Sequence, residues 1–228
     1  MSRVAAAAVA LLLAAPAQAG DRRVPVDPTR PPWNAVAKVQ TNIGTKCSGV
    51  LIAPAVVLTA AHCLYNPRTG AMLQPVSLHV LFGYQRGEYR WHRLVTHYTM
   101  GPGFDPVFPR PQAWDWARLE LAEPVPVSPL PVAGKDATPG MAVALAGYNQ
   151  DKAQLLMADL DCHVRFTTKA YDATFLYHDC AGTRGTSGGP LLAKQGETWV
   201  VVGIAVAAGS GENLALLPPL AELRSGVP

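Results

Sequence analysis

Three residues in this chain have the types and settings that nucleophilic chemistry requires. They are His62 in Leu58-Thr59-Ala60-Ala61-His62-Cys63, Asp115 in Asp115-Trp116-Ala117-Arg118-Leu119, and Ser187 in Gly185-Thr186-Ser187-Gly188-Gly189-Pro190. A serine hydroxyl is a poor nucleophile at neutral pH. It attacks a carbonyl when a histidine takes its proton, a carboxylate holds that histidine's tautomer and backbone N–H groups receive the oxyanion. In that scheme Ser187 attacks, His62 accepts the proton and later hands it to the leaving amine, and Asp115 orients His62. The N–H groups of Gly185 and Ser187 form the oxyanion hole, with a glycine two residues before the serine so that the backbone turns inward. Singly, each signal is bland: a serine in a glycine-rich turn is ordinarily a turn residue, and a histidine after an apolar strand ordinarily packs or faces solvent. Asp105, between Phe104 and Pro106, competes for the carboxylate role. Asp115 is preferred because an alternating, strand-like run follows it, which sets it at a strand's start and partly buried.

The elements that must carry these residues read as short β-prone runs between turn residues. Such runs cover 35–40, 47–52, 56–59, 76–82, 89–97, 117–121, 141–146, 160–166, 174–178, 199–206 and 214–217. Many short strands at close spacing predict an all-β sandwich or barrel. Residues 199–204 are apolar on both faces, as in a central buried strand. The stretch 101–111 reads as a surface loop, 124–140 as a connection between two halves, and 220–224 as a short helix. Residues 20–33, rich in proline and charge, read as an extended arm or a short propeptide.

Residues 1–19 have the form of a bacterial secretory signal: Arg3, an apolar run from Val4 to Ala15, and Ala17-Gln18-Ala19 before Gly20. An uncleaved anchor is the competing reading, but the apolar run is short for a membrane span and no later stretch qualifies. Secretion or a periplasmic location follows. Loss of Arg3 with the signal lowers the formal charge from +3 to +2, and no basic run interleaved with aromatics occurs. Neither nucleic acid nor an anionic membrane is therefore an expected partner. Four cysteines in an exported chain imply two disulfides, with three connectivities open. A zinc site is the alternative, but there is no C-x-x-C spacing, and the other histidines (His79, His92, His97, His163 and His178) lack ligand spacing and read as structural or exposed. No metal or cofactor is expected.

With the His, Asp and Ser blocks in that order, the chain resembles the trypsin-like (chymotrypsin-fold) serine proteases. Cys47-Ser48-Gly49-Val50-Leu51-Ile52 is similar to the strand before the family's histidine. The resemblance runs from about Trp33 to Leu217, and the exported context and the lack of an Ile-Val-Gly-Gly-type start are most similar to the V8-like, glutamyl-endopeptidase-like branch. It implies two six-stranded antiparallel β-barrels, at about 34–123 and 141–218 of a protease domain spanning 34–228, with the active site between them. It further implies pairing of Cys47 with Cys63 and Cys162 with Cys180, protein or peptide substrates, and a monomer. The rivals are a catalytically silent homologue acting as a binding module and an esterase. The esterase elbow of α/β-hydrolases requires a strand–turn–helix setting and the order Ser, Asp, His.

Two departures from the family bear on mechanism. Thr186 stands where many trypsin-like enzymes carry the aspartate that receives a freed N-terminal amine. The expected specificity pocket is Ala181, Gly182 and Thr183 with Ala205, Val206, Ala207 and Ala208. Trypsin's acid is replaced by Ala181, and the glutamyl endopeptidases' threonine and histidine by Gly182 and Ala205. A small, apolar pocket is expected, with Thr183 and Arg184 near enough to favour an acidic group.

Overall fold

The computed structural model describes residues 21–108, 111–208 and 213–224. The expected signal 1–19 lies outside the described residues. Among those described, fifteen strands occur: β1 (Arg23–Pro25), β2 (Val36–Thr41), β3 (Lys46–Ala53), β4 (Val56–Thr59), β5 (Tyr65–Asn66), β6 (Ala71–Met72), β7 (Leu78–Phe82), β8 (Trp91–Met100), β9 (Ala117–Leu121), β10 (Ala142–Gly147), β11 (Met157–Ala170), β12 (Ala173–His178), β13 (Pro190–Gln195), β14 (Thr198–Ala208) and β15 (Asn213–Leu217). One helix, α1 (Leu220–Arg224), follows. No helix among the described residues is long and apolar enough to cross a membrane.

Two closed barrels result. Strands β2-β3-β4-β9-β8-β7 close the first. In the second, β11-β10-β13-β14-β15-β12 returns to β11, all pairs being antiparallel. Alternation accounts for each wall: inward residues such as Val39, Val50, Leu58, Val80 and Leu119 fill the first core, and Val143, Val164, Leu176, Leu191 and Val202 the second. Closure leaves no edge strand in either barrel wall, and in the second only the stretch of β11 beyond the reach of β12 stays open to a further partner.

The connection at 124–140 is pinned to both barrels. Val125 N–H donates to Pro54 O and Leu130 N–H to Leu51 O, while Ala133 N–H and Val201 N–H bond across to Val201 O and Pro131 O. Gly101 and Gly103 pack on Trp114: a Cβ at Gly101 would lie 2.5 Å from Trp114 Cα, and one at Gly103 2.6 Å from its ring.

Four strands go beyond the sequence reading: the short pair β5 and β6, which bond to each other, and β13 and β1. The run 190–195 forms β13, at the centre of its sheet between β10 and β14. Its proline occupies the first strand position, where a missing N–H is tolerated. The arm contributes β1, which pairs antiparallel with β11 in the register Arg23↔Asp159, Val24↔Ala158 and Pro25↔Met157. Residues 157–159 also pair with β10, whereas β12 takes 164–170, so β1 fills the side of β11 that β12 leaves uncovered.

Candidate active site

His62 sits in a 3-10 turn, Ala61–Leu64, at the end of β4. The Cys47–Cys63 disulfide, Cα–Cα 6.2 Å, ties this turn to β3. Asp115 lies two residues before β9 and is fully buried, more so than expected. Its Oδ1 accepts the His62 backbone N–H at 2.9 Å, and its Oδ2 lies 2.8 Å from His62 Nδ1. A carboxylate only accepts, so Nδ1 carries the proton and the Nε2 lone pair is left to act as a base. Asp105, in the loop, instead accepts the Val107 N–H at 2.9 Å. The structure thus brings Asp115, and not Asp105, to His62.

Ser187 comes from the other barrel, in the turn that enters β13. Four consecutive carbonyls in this turn are each held. Arg184 O accepts Gln150 N–H at 2.6 Å, Thr186 O accepts Gly189 N–H at 2.7 Å and Ser187 O accepts Ser48 N–H at 2.8 Å. Gly185 O accepts the Ser48 hydroxyl at 2.9 Å. In a trans peptide N–H and C=O point opposite ways. Anchoring Arg184 O and Thr186 O therefore directs the N–H groups of Gly185 and Ser187 away from those anchors. Neither N–H, nor the Ser187 hydroxyl, has a hydrogen-bond partner among the described residues.

Glycine is required twice here. Gly185 has φ +92°, and a Cβ on it would fall 2.4 Å from Tyr148 O. Gly188 has φ +79°, and a Cβ would fall 2.1 Å from Thr59 Oγ1. The first contact seats the nucleophile turn on the segment after β10, and the second seats it on β3 and β4 of the first barrel.

A cavity of about 390 Å³ brings His62, Gly185, Thr186 and Ser187 together. Of the expected pocket residues, Gly182, Thr183, Ala205, Val206, Ala207 and Ala208 line it. Ala181 does not: its N–H is drawn the other way, to Asp159 Oδ2 at 2.7 Å. Lys46, Leu145, His178 and Asn213 line the cavity without having been expected to. No Asp or Glu lines it among the described residues.

His178 is fully buried on β12. Its Nδ1 accepts the Cys180 N–H at 3.3 Å, so Nε2 carries the proton of the neutral ring, and Nε2 has no partner. Burial pulls this imidazole down to about 4. The only sequence signal for His178 was its place two residues before Cys180, at the root of the nucleophile loop.

The second disulfide joins Cys162 to Cys180, Cα–Cα 4.9 Å. Cys47, Cys63 and His62 bring ligand atoms within 4.8 Å of one another, but both sulfurs are spent in the disulfide and offer no thiolate.

Comparison with known proteins agrees with this geometry. The family model for a trypsin-like peptidase domain matches residues 47–204. Among solved structures, that of a Glu endopeptidase in complex with MPD is similar with a TM-score of 0.75. At 20% sequence identity, covering 90% of this chain and 94% of that one, the likeness speaks for the shared fold. The family match over most of the chain, on a pair of six-stranded barrels, makes this chain a member of the trypsin-like peptidases, serine-type endopeptidases of the chymotrypsin fold.

Proposed function

We propose that the chain is an exported endopeptidase that cleaves peptide bonds through Ser187, His62 and Asp115 and a covalent acyl-enzyme. Ser187 Oγ attacks the scissile carbonyl carbon as His62 Nε2 takes its proton, and Asp115 stabilises the imidazolium. The carbonyl oxygen, now negative, is received by the N–H groups of Gly185 and Ser187. Collapse expels the amine, which takes the proton from His62, and leaves an ester on Ser187. Water, deprotonated by the same histidine, hydrolyses that ester. No step needs a metal or cofactor. The observation that carries the reading is the pairing of an oriented His62 with two unengaged N–H donors on one cavity wall.

The signal 1–19 and the two disulfides support a secreted or periplasmic location. The protease domain begins near residue 34, and the protein acts as a monomer on protein or peptide substrates. The walls Gly182, Thr183 and Ala205–Ala208, with no carboxylate among the described lining residues, favour cleavage after small or medium apolar residues over Lys or Arg. Labelling with a fluorophosphonate tests the mechanism. Ser187 is expected to be phosphonylated and Ser187→Ala to remain unlabelled, both being folded. A folded wild-type protein that takes no label would make it a binding module instead.

A further inference from the structure

We infer that Arg23, carried by the N-terminal arm, is the positioning cation that organises the oxyanion loop, in the place where a freed amino terminus would otherwise be needed. The inference rests on the serine-endopeptidase reading above.

The segment Asn149-Gln150-Asp151 is a template for the loop at 183–186. Gln150 N–H holds Arg184 O at 2.6 Å and so sets the peptide that presents the Gly185 N–H. On one side of Gln150, Asn149 Oδ1 accepts Thr183 N–H at 2.9 Å and the buried Thr186 hydroxyl at 2.7 Å. On the other side, Asp151 Oδ1 accepts the Thr183 hydroxyl at 2.9 Å.

One group bridges the two sides. Arg23 Nη1 donates to Asn149 Oδ1 at 2.8 Å and to Asp151 Oδ1 at 2.9 Å, while Nη2 reaches Asp151 Oδ2 at 2.6 Å. Asp21 closes the far face of the fork, with Arg23 Nε to Oδ1 at 2.8 Å and Lys152 Nζ to Oδ2 at 2.8 Å. The Arg23 side chain is 8% exposed although it comes from a three-residue strand.

A planar fork with donors along two edges suits this bridging role, and a point charge does not. Arg22 reinforces it from the loop's other end. It bonds Asp159 Oδ2 at 3.0 Å, the same oxygen that holds the Ala181 N–H, and it also donates to Asp179 O.

Thr186 offers a hydroxyl and no counter-charge, and that hydroxyl is spent on Asn149. The cation needed at the loop is supplied within the chain, and needs no cut to create it. Competence should then be indifferent to extra residues ahead of the arm, and sensitive to loss of the guanidinium.

The test uses the mature chain beginning at Gly20. Arg23→Ala, Arg23→Lys, the solvent-facing arm variant Arg30→Ala and a form with an added Ser-Gly leader are compared on one peptide substrate. Thermal midpoints and Ser187 phosphonylation rates are measured in parallel. Deleting an oxyanion donor outright costs on the order of 10²–10³ in kcat, and Arg23→Ala, which only loosens one, is expected to lose at least about tenfold with KM little changed. Phosphonylation slows alongside, added methylguanidinium restores part of the kcat, and Arg23→Lys falls between. The leader form and Arg30→Ala match wild type. A folded Arg23→Ala with wild-type kcat, a loss that methylguanidinium leaves untouched, or inactivation by the leader overturns the inference. If Arg23→Ala does not fold, Arg23→Lys and the leader form decide. A wild-type enzyme that takes no label refutes the endopeptidase reading itself, which separates the two failures.

Discussion

Ser48→Ala tests how the oxyanion loop is held to the first barrel. Ser48 is fully buried on β3, and its hydroxyl serves two partners at once. It donates to Gly185 O at 2.9 Å and accepts the Tyr148 N–H at 2.8 Å. Alanine retains the backbone bond to Ser187 O but leaves a buried carbonyl and a buried N–H without these partners. Each such group costs about 1–3 kcal/mol, so the variant should be less stable by roughly 2–6 kcal/mol. The freed Gly185 carbonyl also lets the 185–186 peptide rock, while Gln150 still holds the peptide before it. The loss of kcat should therefore be about tenfold or more, with full loss of one oxyanion donor, about 10²–10³, as the ceiling. Equilibrium urea unfolding gives the first quantity, and steady-state kinetics on a peptide substrate the second. An unchanged unfolding midpoint would refute the hydrogen-bond accounting. Destabilisation with unchanged kcat would show that Gln150 and Thr183 alone set the geometry of the loop.

Asp115→Asn should keep the fold and cut turnover by roughly 10⁴, through loss of the His62 tautomer, whereas Asp105→Asn should leave kinetics near wild type; a crippled Asp105→Asn would reverse that choice of acid. Sequencing the products of a peptide library should show cleavage after Ala or Val well ahead of Lys or Arg, and efficient cleavage after Arg would place an acid in the cavity. His178 makes stability depend on pH. Its folded value is depressed to about 4 by burial, so the unfolded chain takes up the proton first, and stability falls as pH drops from about 6.5 to about 4. That shift is worth about 3 kcal/mol in all. His178→Gln should lose this part of the pH slope in urea unfolding, and an unchanged slope would show that the ring is solvated.

Most strands were legible because a sheet with one wet and one dry face writes alternation into them, whereas their closure into two barrels was implied by the family resemblance. The run at β9 was read to the residue, and the helix at 220–224 likewise. β13 was not, since Leu191-Leu192-Ala193 is too short an apolar run to announce itself between Pro190 and the polar Lys194-Gln195 that lead into the turn at Gly196-Glu197. It becomes a strand because β10 and β14 supply partners on both sides. The arm's proline- and charge-rich composition likewise conceals β1, whose pairing is provided by β11, more than 130 residues away in sequence. Site residues within contiguous motifs were visible. Those placed by the closing of the second barrel were not: His178, Asn213 and Asn149 reach the loop from β12, β15 and the segment after β10. Ala181 was misplaced because position relative to the serine says nothing of Asp159, which turns that N–H away.

The pairing of β1 with β11 also bears on biosynthesis. The first barrel uses strands from Val36 to Leu121 only, so it has all its parts early in synthesis. The second barrel takes an extra strand from the start of the chain and its fifth and sixth wall strands from near the end. Domains generally fold as units in order of emergence, and contacts spanning such separations form late. A fragment ending before β14 would carry His62 and Asp115 but lack strands that wall the nucleophile loop. Completing the walls of that loop therefore calls on the arm and on the last described strands together.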